Sequence, residues 1–366
     1  MPAISRLPIA LVLSLFIIVG RTFAVTTPLF EASDELWHYP VIWRLARGQG
    51  MPVLDANDPG PWRQEAGQPP LYYYIMALAT GWIDTTDMRV VRRLNAHVDN
   101  GVVTADGNTN LAIHSVAENF PWRGTVLAVR LVRLLSVLLG AGTVYLTYLL
   151  ALQIRPGWPW LAVGAAGVLA FTPMFAFISA AVNNDNLAML LASAAVLLIT
   201  RMSTRADTGK KFRFALNWQW TRVRGHISIA HLTLGGLLGL GALTKLSLLA
   251  LFPVAAAIIA YNQAARWWRT PHRTRTHVFW LHALILLLQC GVTFGFAATI
   301  SGWWFRRNLR HYGTLTGINA FVDVLGRRAH PAPLAQLWSE HAGFMQSFWG
   351  LSAQSMCPFR TGCTPR

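Results

Sequence analysis

Long apolar stretches separated by polar connections dominate the chain. The first covers residues 7–20 and continues past Arg21 to Ala24, and six more lie at roughly 128–151, 158–180, 186–202, 227–244, 247–262 and 278–300. Each is near the ~20 residues that a bilayer-spanning helix needs, or slightly shorter. The first stretch is also short enough for a signal-peptide core, but we expect it to remain as a span. The pattern predicts an all-α multi-pass membrane protein with about seven transmembrane helices.

The two stretches on either side of Lys245 are the least regular part of this pattern. Residues 227–244 and 247–262 are each short, and Lys245 follows Thr244 directly between them. They form either two short helices or one long, kinked hydrophobic element. A lysine inside an apolar segment usually has a partner or an anionic ligand, although one at a helix end can extend its ammonium group to the interface. The sequence leaves both alternatives open.

Composition agrees with a membrane protein and changes how the charge is interpreted. The chain is 54% hydrophobic and only 13% charged, which lies outside the range of soluble domains. A net charge of +16 would indicate nucleic-acid binding in a soluble chain. With a cytoplasmic N-terminus, however, the basic residues collect in the predicted inner segments, where Asp207 is the one acid. We therefore interpret this charge as the signal that orients the spans, and we expect no nucleic-acid partner.

The connection between the first two spans, residues 28–127, is predicted to form a large external loop. It holds most of the acids of the chain and is too long to be a simple connector. Residues 35–47 place apolar side chains along one helical stripe, and the run that follows Gln68-Pro-Pro-Leu71 is aromatic and too short to span a bilayer. Both segments are predicted as helices lying at the membrane interface.

Candidate chemistry begins just after the first span. Asp34 and Glu35 are adjacent, and His38 follows three residues later, so the group could supply a general base, a metal ligand or both. The alternative is structural: an acidic pair is favoured at the start of a helix, with Ser33 or Asp34 as its cap.

A second polar cluster separates the third and fourth predicted spans. Asn183, Asn184, Asp185 and Asn186 interrupt an apolar context, and such residues are common in turns at a membrane surface. The cluster is nevertheless predicted to lie at the same depth as Asp34. Carboxylates that converge from two loops are a typical way to assemble a site.

A cationic segment follows the last predicted span. It contains Arg306, Arg307, Arg310 and His311 directly after two tryptophans. Arginines outside the membrane but beside it suit a lipid phosphate, which guanidinium can bind through two hydrogen bonds. General attraction to anionic headgroups is the alternative.

The three cysteines, Cys290, Cys357 and Cys363, have no metal-binding or redox spacing, so we predict neither disulfides nor structural zinc.

Six segments along the chain resemble the membrane glycosyltransferases of the GT-C fold, which include the protein O-mannosyltransferases and the lipid A aminoarabinose transferases. In order they are SDELWHY, GQPPLYYYIMAL, RLLSVLLGAGTVYLTYLLA, FTPMFAFISAAVNNDNLAMLL, GLLGLGALTKLSLLALFP and SGWWFRRNLRHYG. The resemblance implies a GT-C-like helical bundle. It also implies an inverting transfer of a sugar from a polyprenyl-phosphate donor to an acceptor hydroxyl at the outer face of the cell membrane.

The resemblance also implies residue roles. Asp34 would be the base that deprotonates the acceptor, with Glu35 beside it and Asp185 as the acid of the second loop. The donor phosphate would be held by Lys245, Arg307, Asn308 and Tyr312, and His38, Asn183 and Asn184 would be neighbours of the acceptor or of a metal. Some relatives use a divalent metal and others none, so the metal is left open. The donor and membrane lipids are the expected partners; the sugar and the acceptor are not indicated.

Two departures from the family affect what this chain is expected to do. Tyr312-Gly313 is followed by Thr314-Leu315, where the group often continues with Asp-Pro, and the chain is shorter than is usual for the group. Residues 351–366 differ in composition from residues 1–350, and we expect them to be a frameshifted, unstructured tail of a truncated enzyme. The alternative to an enzyme is a non-catalytic membrane subunit or degenerate remnant that binds lipid-linked sugars.

Overall fold

The computed structural model describes residues 6–32, 34–97, 110–208, 228–271, 276, 278–326, 331 and 333–349. Within these residues the regular structure is helical, apart from one isolated bridge between Leu94 and Ala112. The expected frameshifted tail and two of the cysteines lie outside the described residues. The protein is therefore an all-α protein, as the apolar pattern predicted.

The described helices include five that are long and apolar enough to cross a membrane. They are α1 (Arg6–Thr26), α5 (Gly124–Ile154), α8 (Asp185–Thr208), α10 (Leu251–Trp268, continuous with a 3₁₀ turn from Leu246) and α11 (Phe279–Tyr312). The predicted span at 158–180 is a pair of shorter helices, α6 (Pro159–Ala170) and α7 (Pro173–Ser179), bent by 67°. Counting this pair as one span gives six.

The predicted span at 227–244 is shorter than expected. It forms α9 (Ile229–Ala242), an apolar helix of 14 residues, which rises only about 21 Å and is too short to cross ~30 Å of hydrocarbon without tilting or thinning the bilayer. The number of spans is therefore five or six by length and composition in the described part of the chain, and the count of seven is not confirmed.

The chain breaks at Lys245, which settles the ambiguity around this residue. Lys245 has an extended backbone, with φ −155° and ψ 135°, between the end of α9 and the 3₁₀ helix Leu246–Ala250. The two apolar segments are separate helices and not one kinked element. An irregular backbone at this point is tolerated where the peptide groups find partners, and the amide of Leu71 donates to the carbonyl oxygen of Leu243 at 2.8 Å.

Two groups of helices form the bundle. One combines α1, α5, α6 and α7, and the other combines α8, α9, α10 and α11. Helices α9 and α11 approach closely at glycines: a Cβ atom on Gly235 would lie 2.3 Å from the carbonyl oxygen of Thr293, and one on Gly239 would lie 2.9 Å from that of Ala297. Small residues at such crossings allow helices to pack by van der Waals contact inside a bilayer.

The long connection between α1 and α5 folds into a compact unit on the bundle. It contains α2 (Glu35–Ala46), a 3₁₀ helix (Arg63–Gly67), α3 (Leu71–Thr80) and the short α4 (Met88–Val91). The two predicted helices of this segment are therefore present. Helix α3 exposes Ile75 and Leu78, which fits an apolar face turned to lipid.

Helix α2 differs from the predicted interfacial helix. The sequence predicted one apolar stripe, but every residue from Glu35 to Ile42 is buried. Helix α3 packs on one side, and the residues before α5 and after α7 cover others. Helix α2 is thus part of the core of the connection, which fixes the side chains at its N-terminus.

Candidate functional site

Asp34 occupies an uncommon backbone conformation immediately before α2. Its φ of 56° is left-handed, a region that Asp adopts more readily than most residues with a side chain. Asp34 is the N-cap residue of α2, as the structural alternative predicted, but its side chain makes no capping hydrogen bond. Ser33 lies outside the described residues. A left-handed residue held at the start of a buried helix is a marker of a functional position.

The carboxyl group of Asp34 is in a charged but partly desolvated environment. Burial raises its pKa above the usual value. His38 and Lys245 act in the opposite direction, while Glu65 and Asp185 add to the increase. These four groups come from α2, the 3₁₀ helix, α8 and the break at Lys245. The structure therefore brings Asp34, Asp185 and Lys245 within electrostatic reach of one another, as the sequence predicted.

The polar cluster at residues 183–186 divides into residues that bond within the turn and a buried asparagine that bonds to other segments. The Asn183 side chain accepts a hydrogen bond from the amide of Asp185 at 2.8 Å, and Asn186 donates to carbonyl oxygens of the same turn. For these two residues the turn interpretation is correct. Asn184 instead donates to Gln68 at 3.3 Å and to the carbonyl oxygen of Thr244 at 3.1 Å, which joins α8 to the connection and to the break before Lys245.

Lys245 has a partner, as expected for a lysine in an apolar segment. Its ammonium group forms an ion pair with Asp185. The side chains of Lys245 and Asp185 are 30% and 36% exposed, so both still face an accessible space. Because an ammonium group has three N–H donors, Lys245 can hold Asp185 and an anionic ligand at the same time.

A buried group of Glu65, His38 and Tyr73 lies beneath this ion pair. His38 Nδ1 is 2.7 Å from the Tyr73 hydroxyl and 3.3 Å from a carboxylate oxygen of Glu65, and Tyr73 donates to the same oxygen at 3.5 Å. Burial raises the pKa of Glu65 to about 7 against the opposing charge of Lys245, and lowers the pKa of His38 to about 4 although Asp34 opposes this. Both shifts are opposite to those of a salt bridge, because desolvation outweighs attraction.

Glu35 is placed differently from the sequence-based expectation. Its carboxylate is fully buried and forms a two-point ion pair with Arg133, with N–O distances of 2.8 and 2.6 Å. It also accepts hydrogen bonds from the backbone amides of Phe30 and Val182. Arg133 also donates to the carbonyl oxygens of Ala24, Thr27 and Pro28. These bonds engage both carboxylate oxygens of Glu35, so we assign it to the scaffold and not to the chemistry.

The residues expected to hold phosphate on α11 are joined to the connection. Arg307 donates to the carbonyl oxygen of Pro52 at 2.7 Å and lies over the Trp304 ring. The Tyr312 hydroxyl accepts the amide of Leu54 at 3.0 Å, and Asn308 donates to the carbonyl oxygen of Leu315. In this arrangement Arg307, Asn308 and Tyr312 anchor the end of α11, and a role in phosphate binding stays a prediction.

The residues suggested as metal ligands do not form a metal-binding cluster. In the described part of the chain, no group of three or more His, Cys, Asp or Glu side chains has suitable geometry. Each of these residues is engaged elsewhere. Asp34 lies in a left-handed turn and Glu35 pairs with Arg133. His38 contacts the Tyr73 hydroxyl, and Asp185 pairs with Lys245. They do not fit a shared cation.

Sequence reasoning missed several members of the site. Glu65, Gln68 and Tyr73 flank the Pro69-Pro70 pair that marked the start of α3. The available signal was a carboxylate directly before an apolar, aromatic helix, which indicates burial with partners. Arg133 was visible as a charge inside a span, and such charges are usually paired.

Comparison of the sequence with family models found no match, and comparisons with curated proteins and with solved structures found none either.

Proposed function

We propose that this chain is an inverting glycosyltransferase that moves a sugar from a polyprenyl-phosphate donor to an acceptor hydroxyl at the outer face of the cell membrane. The proposal assigns the N-terminus and the basic connections to the cytoplasm, and the α1–α5 connection to the outside. One observation carries it: Asp34, a left-handed residue whose side chain makes no capping hydrogen bond, lies within electrostatic reach of a partly exposed Lys245–Asp185 pair.

Asp34 has the properties of a general base. Burial makes it a stronger proton acceptor than an exposed aspartate, while Lys245 favours its ionised form. A base of this kind accepts the proton of the acceptor hydroxyl as its oxygen bonds to the anomeric carbon. Attack from the face opposite the phosphate inverts the configuration at that carbon.

Lys245 has the complementary role at the leaving group. As the anomeric carbon–oxygen bond breaks, the bonding electron pair stays with the polyprenyl phosphate, and the ammonium group stabilises the added negative charge. The ion pair with Asp185 fixes the position of the flexible lysine before the donor binds. The reaction leaves the proton of the acceptor hydroxyl on Asp34 and the bonding electron pair on the polyprenyl phosphate. The sugar passes directly to the acceptor oxygen, so no protein-bound intermediate is required.

Buried hydrogen bonds between separate segments hold the site together. Asn184 joins α8 to Gln68 and to the carbonyl oxygen of Thr244. The Tyr72 hydroxyl shares a hydrogen bond with the Ser136 hydroxyl, in which either group can be the donor. The same Tyr72 oxygen accepts a hydrogen bond from the amide of Asn183. Together with the contact between His38 and Tyr73, these bonds connect the segments that carry Asp34, Asp185 and Lys245. A site held by buried hydrogen bonds keeps its reacting groups in place without reorganisation.

The test is sugar transfer in membranes that contain the full chain. Membranes receive a polyprenyl-phosphate sugar labelled in the sugar, and incorporation of label into lipid, glycan and protein fractions is measured. Asp34→Asn should lower the rate by about 100-fold or more, the usual effect of losing a general base. Asp58→Asn removes an exposed acid of the same connection and should leave the rate unchanged.

Donor binding separates the enzyme from its alternative. We expect Asp34→Asn to bind the donor as the wild type does, because the charge lost belongs to the acceptor side. Equal, near-background rates for wild type and Asp34→Asn, with donor binding intact in both, would instead identify a non-catalytic membrane subunit that binds lipid-linked sugars.

A further inference from the structure

A cationic cleft lies in the α1–α5 connection, separate from the Asp34 cluster. Its volume is about 510 Å³, and it opens between the end of α2, the segment before the 3₁₀ helix, and α4. Its lining consists of Trp43, Arg44, Gln49, Pro61, Trp62, Met88, Arg89 and Arg92. In the part of the chain that the structure describes, this lining includes three arginines and no acid.

The arginines at the base of the cleft are held in fixed positions. Arg92 donates from Nε to the carbonyl oxygen of Leu36 at 2.9 Å and from Nη2 to that of Pro61 at 3.0 Å. Arg44 donates from Nε to the carbonyl oxygen of Gly50 at 3.0 Å, and its guanidinium lies over the Trp62 ring at 5.1 Å. These bonds are made to backbone oxygens and to an aromatic ring, so the positive charges are oriented without being neutralised.

The cleft therefore has an unbalanced positive potential. Burial lowers the pKa of Arg92 to about 10, and the charge of nearby Arg63 acts in the same direction. Arg92 is still protonated at neutral pH, and Arg89 adds a third, exposed guanidinium at the mouth. An anion bound between these groups would be stabilised by charge-assisted hydrogen bonds, and arginine favours carboxylate and phosphate for this purpose.

Two indole rings complete the lining. Trp43 is fixed by a hydrogen bond from its ring nitrogen to the carbonyl oxygen of Thr85 at 3.1 Å, and Trp62 is fixed beneath Arg44. A rigid aromatic side chain has an apolar face and a polar edge, which suits the face of a pyranose ring, where C–H groups predominate. The combination of arginine and tryptophan favours a sugar with a negative charge over a simple inorganic anion.

We propose that this cleft binds a saccharide that carries a carboxylate or phosphate group, with the anion on Arg44, Arg89 and Arg92 and a sugar ring against the indoles. Its further role, as the subsite for an anionic acceptor, rests on the proposed glycosyltransferase function. Helix α2 begins beside Asp34 and reaches Trp43 nine residues later, about 13 Å along its axis. The cleft is thus about two and a half helical turns from the base.

Binding is tested with the full chain in lipid nanodiscs and a fluorescently labelled tetrasaccharide of hyaluronan, which carries glucuronate carboxylates. Arg89→Ala should weaken binding about tenfold, the effect expected for one charge-assisted contact. Arg93→Ala is the matched control, because Arg93 is exposed four residues along and is not part of the lining. It should change the dissociation constant less than twofold. Equal weakening by both variants would show general electrostatic attraction and would overturn the proposal.

The probe with its carboxylates reduced to alcohols should bind at least tenfold more weakly than the acidic probe. Unchanged affinity would overturn the anionic assignment. Competition identifies the chemistry further: glucuronate and glucose 6-phosphate should both displace the probe, whereas glucose should not. Glycerol 3-phosphate, which resembles a lipid headgroup, should compete more weakly than glucose 6-phosphate. Equal competition would mean that the cleft binds any phosphate, such as a lipid headgroup, and that the saccharide assignment is wrong.

This experiment is independent of sugar transfer. Specific binding that depends on Arg89, together with no effect of Asp34→Asn on transfer, would overturn the proposed function and leave the cleft assignment intact. Transfer that depends on Asp34, without binding of the acidic probe, would overturn the cleft assignment alone.

Discussion

At the scale of single residues, burial determines the chemistry of the site more than charge pairing does. Glu65 and His38 lie 3.3 Å apart, a distance at which opposite charges would stabilise one another. Their pKa values nevertheless move toward the neutral forms, because both side chains are removed from water. Near neutral pH the contact is therefore between a neutral imidazole and a carboxyl group close to its midpoint.

Glu65 provides a prediction about pH. Its pKa in the folded protein, about 7, is raised above that of the unfolded chain, so its contribution to stability is complete at low pH and is lost as the pH rises through 7. Glu65→Gln is neutral at every pH and keeps a polar side chain in place. The variant should gain stability relative to wild type as the pH rises from 5 to 8, by about 2 kcal/mol in all.

The measurement is the temperature of thermal unfolding in detergent, recorded for both proteins at several pH values. Glu340→Gln, at an exposed position of the chain, controls for the loss of a carboxylate in general. A difference between Glu65→Gln and wild type that is constant from pH 5 to pH 8 would contradict the raised pKa.

At the scale of helices, one buried ion pair fixes the position of the site. Arg133 of α5 contacts the end of α1 and the start of α2, and Glu35 adds the turn between α7 and α8 through the amide of Val182. The carboxylate predicted as a catalytic partner of Asp34 is thus the point at which four segments meet. The residue that follows Asp34 is therefore fixed in place by these bonds.

Removing one member of this pair should destabilise the fold strongly. Glu35→Gln leaves Arg133 buried with its charge unpaired, and we expect a loss of roughly 3 kcal/mol or more in stability. Arg133→Met should have a similar effect, because it leaves the buried carboxylate of Glu35 without its partner. The double variant should be more stable than the sum of the two single losses predicts, since no uncompensated charge remains.

Thermal unfolding in detergent measures the three variants, and Arg21→Met, at an exposed arginine of α1, is the matched control. Additive losses in the double variant would contradict the coupling. A Glu35→Gln variant that keeps its stability but loses sugar transfer would return Glu35 to the catalytic set.

At the scale of the whole molecule, the orientation in the membrane decides on which side the site works. The positive-inside rule predicts that the connection after α5 is cytoplasmic and that the α1–α5 connection is outside. The cationic cleft lies in the latter, and the site is formed by the latter together with Asp185 and Lys245. They would therefore share one face of the membrane with a polyprenyl-phosphate donor whose sugar is presented outside.

Single reporter cysteines test this orientation. In a chain whose three cysteines are changed to serine, Asp58→Cys in the α1–α5 connection and Arg155→Cys after α5 occupy exposed positions. A maleimide that cannot cross membranes should label Asp58→Cys in intact cells and Arg155→Cys only after permeabilisation. The reverse pattern would place the site in the cytoplasm and contradict the proposed outer-face reaction.

The sequence by itself determined the all-helical membrane architecture and the position of most spans. This information is local, because a bilayer requires about twenty consecutive apolar residues with every backbone group bonded within its own helix. The same argument failed for α9 and for the bent pair α6–α7, where the segments are short and neighbouring helices provide the remaining contacts.

Only the tertiary structure decided which polar residues meet. Lys245 pairs with Asp185 and Arg133 with Glu35, and these partners are 60 and 98 residues apart along the chain. The tertiary structure also distinguishes the two adjacent acids, because Glu35 is paired with Arg133 in the core and Asp34 lies in the candidate site. It adds Glu65 to the residues of that site. The physical reason is that the partner and the solvation of a side chain depend on how helices pack, a property of the whole core that no short segment contains.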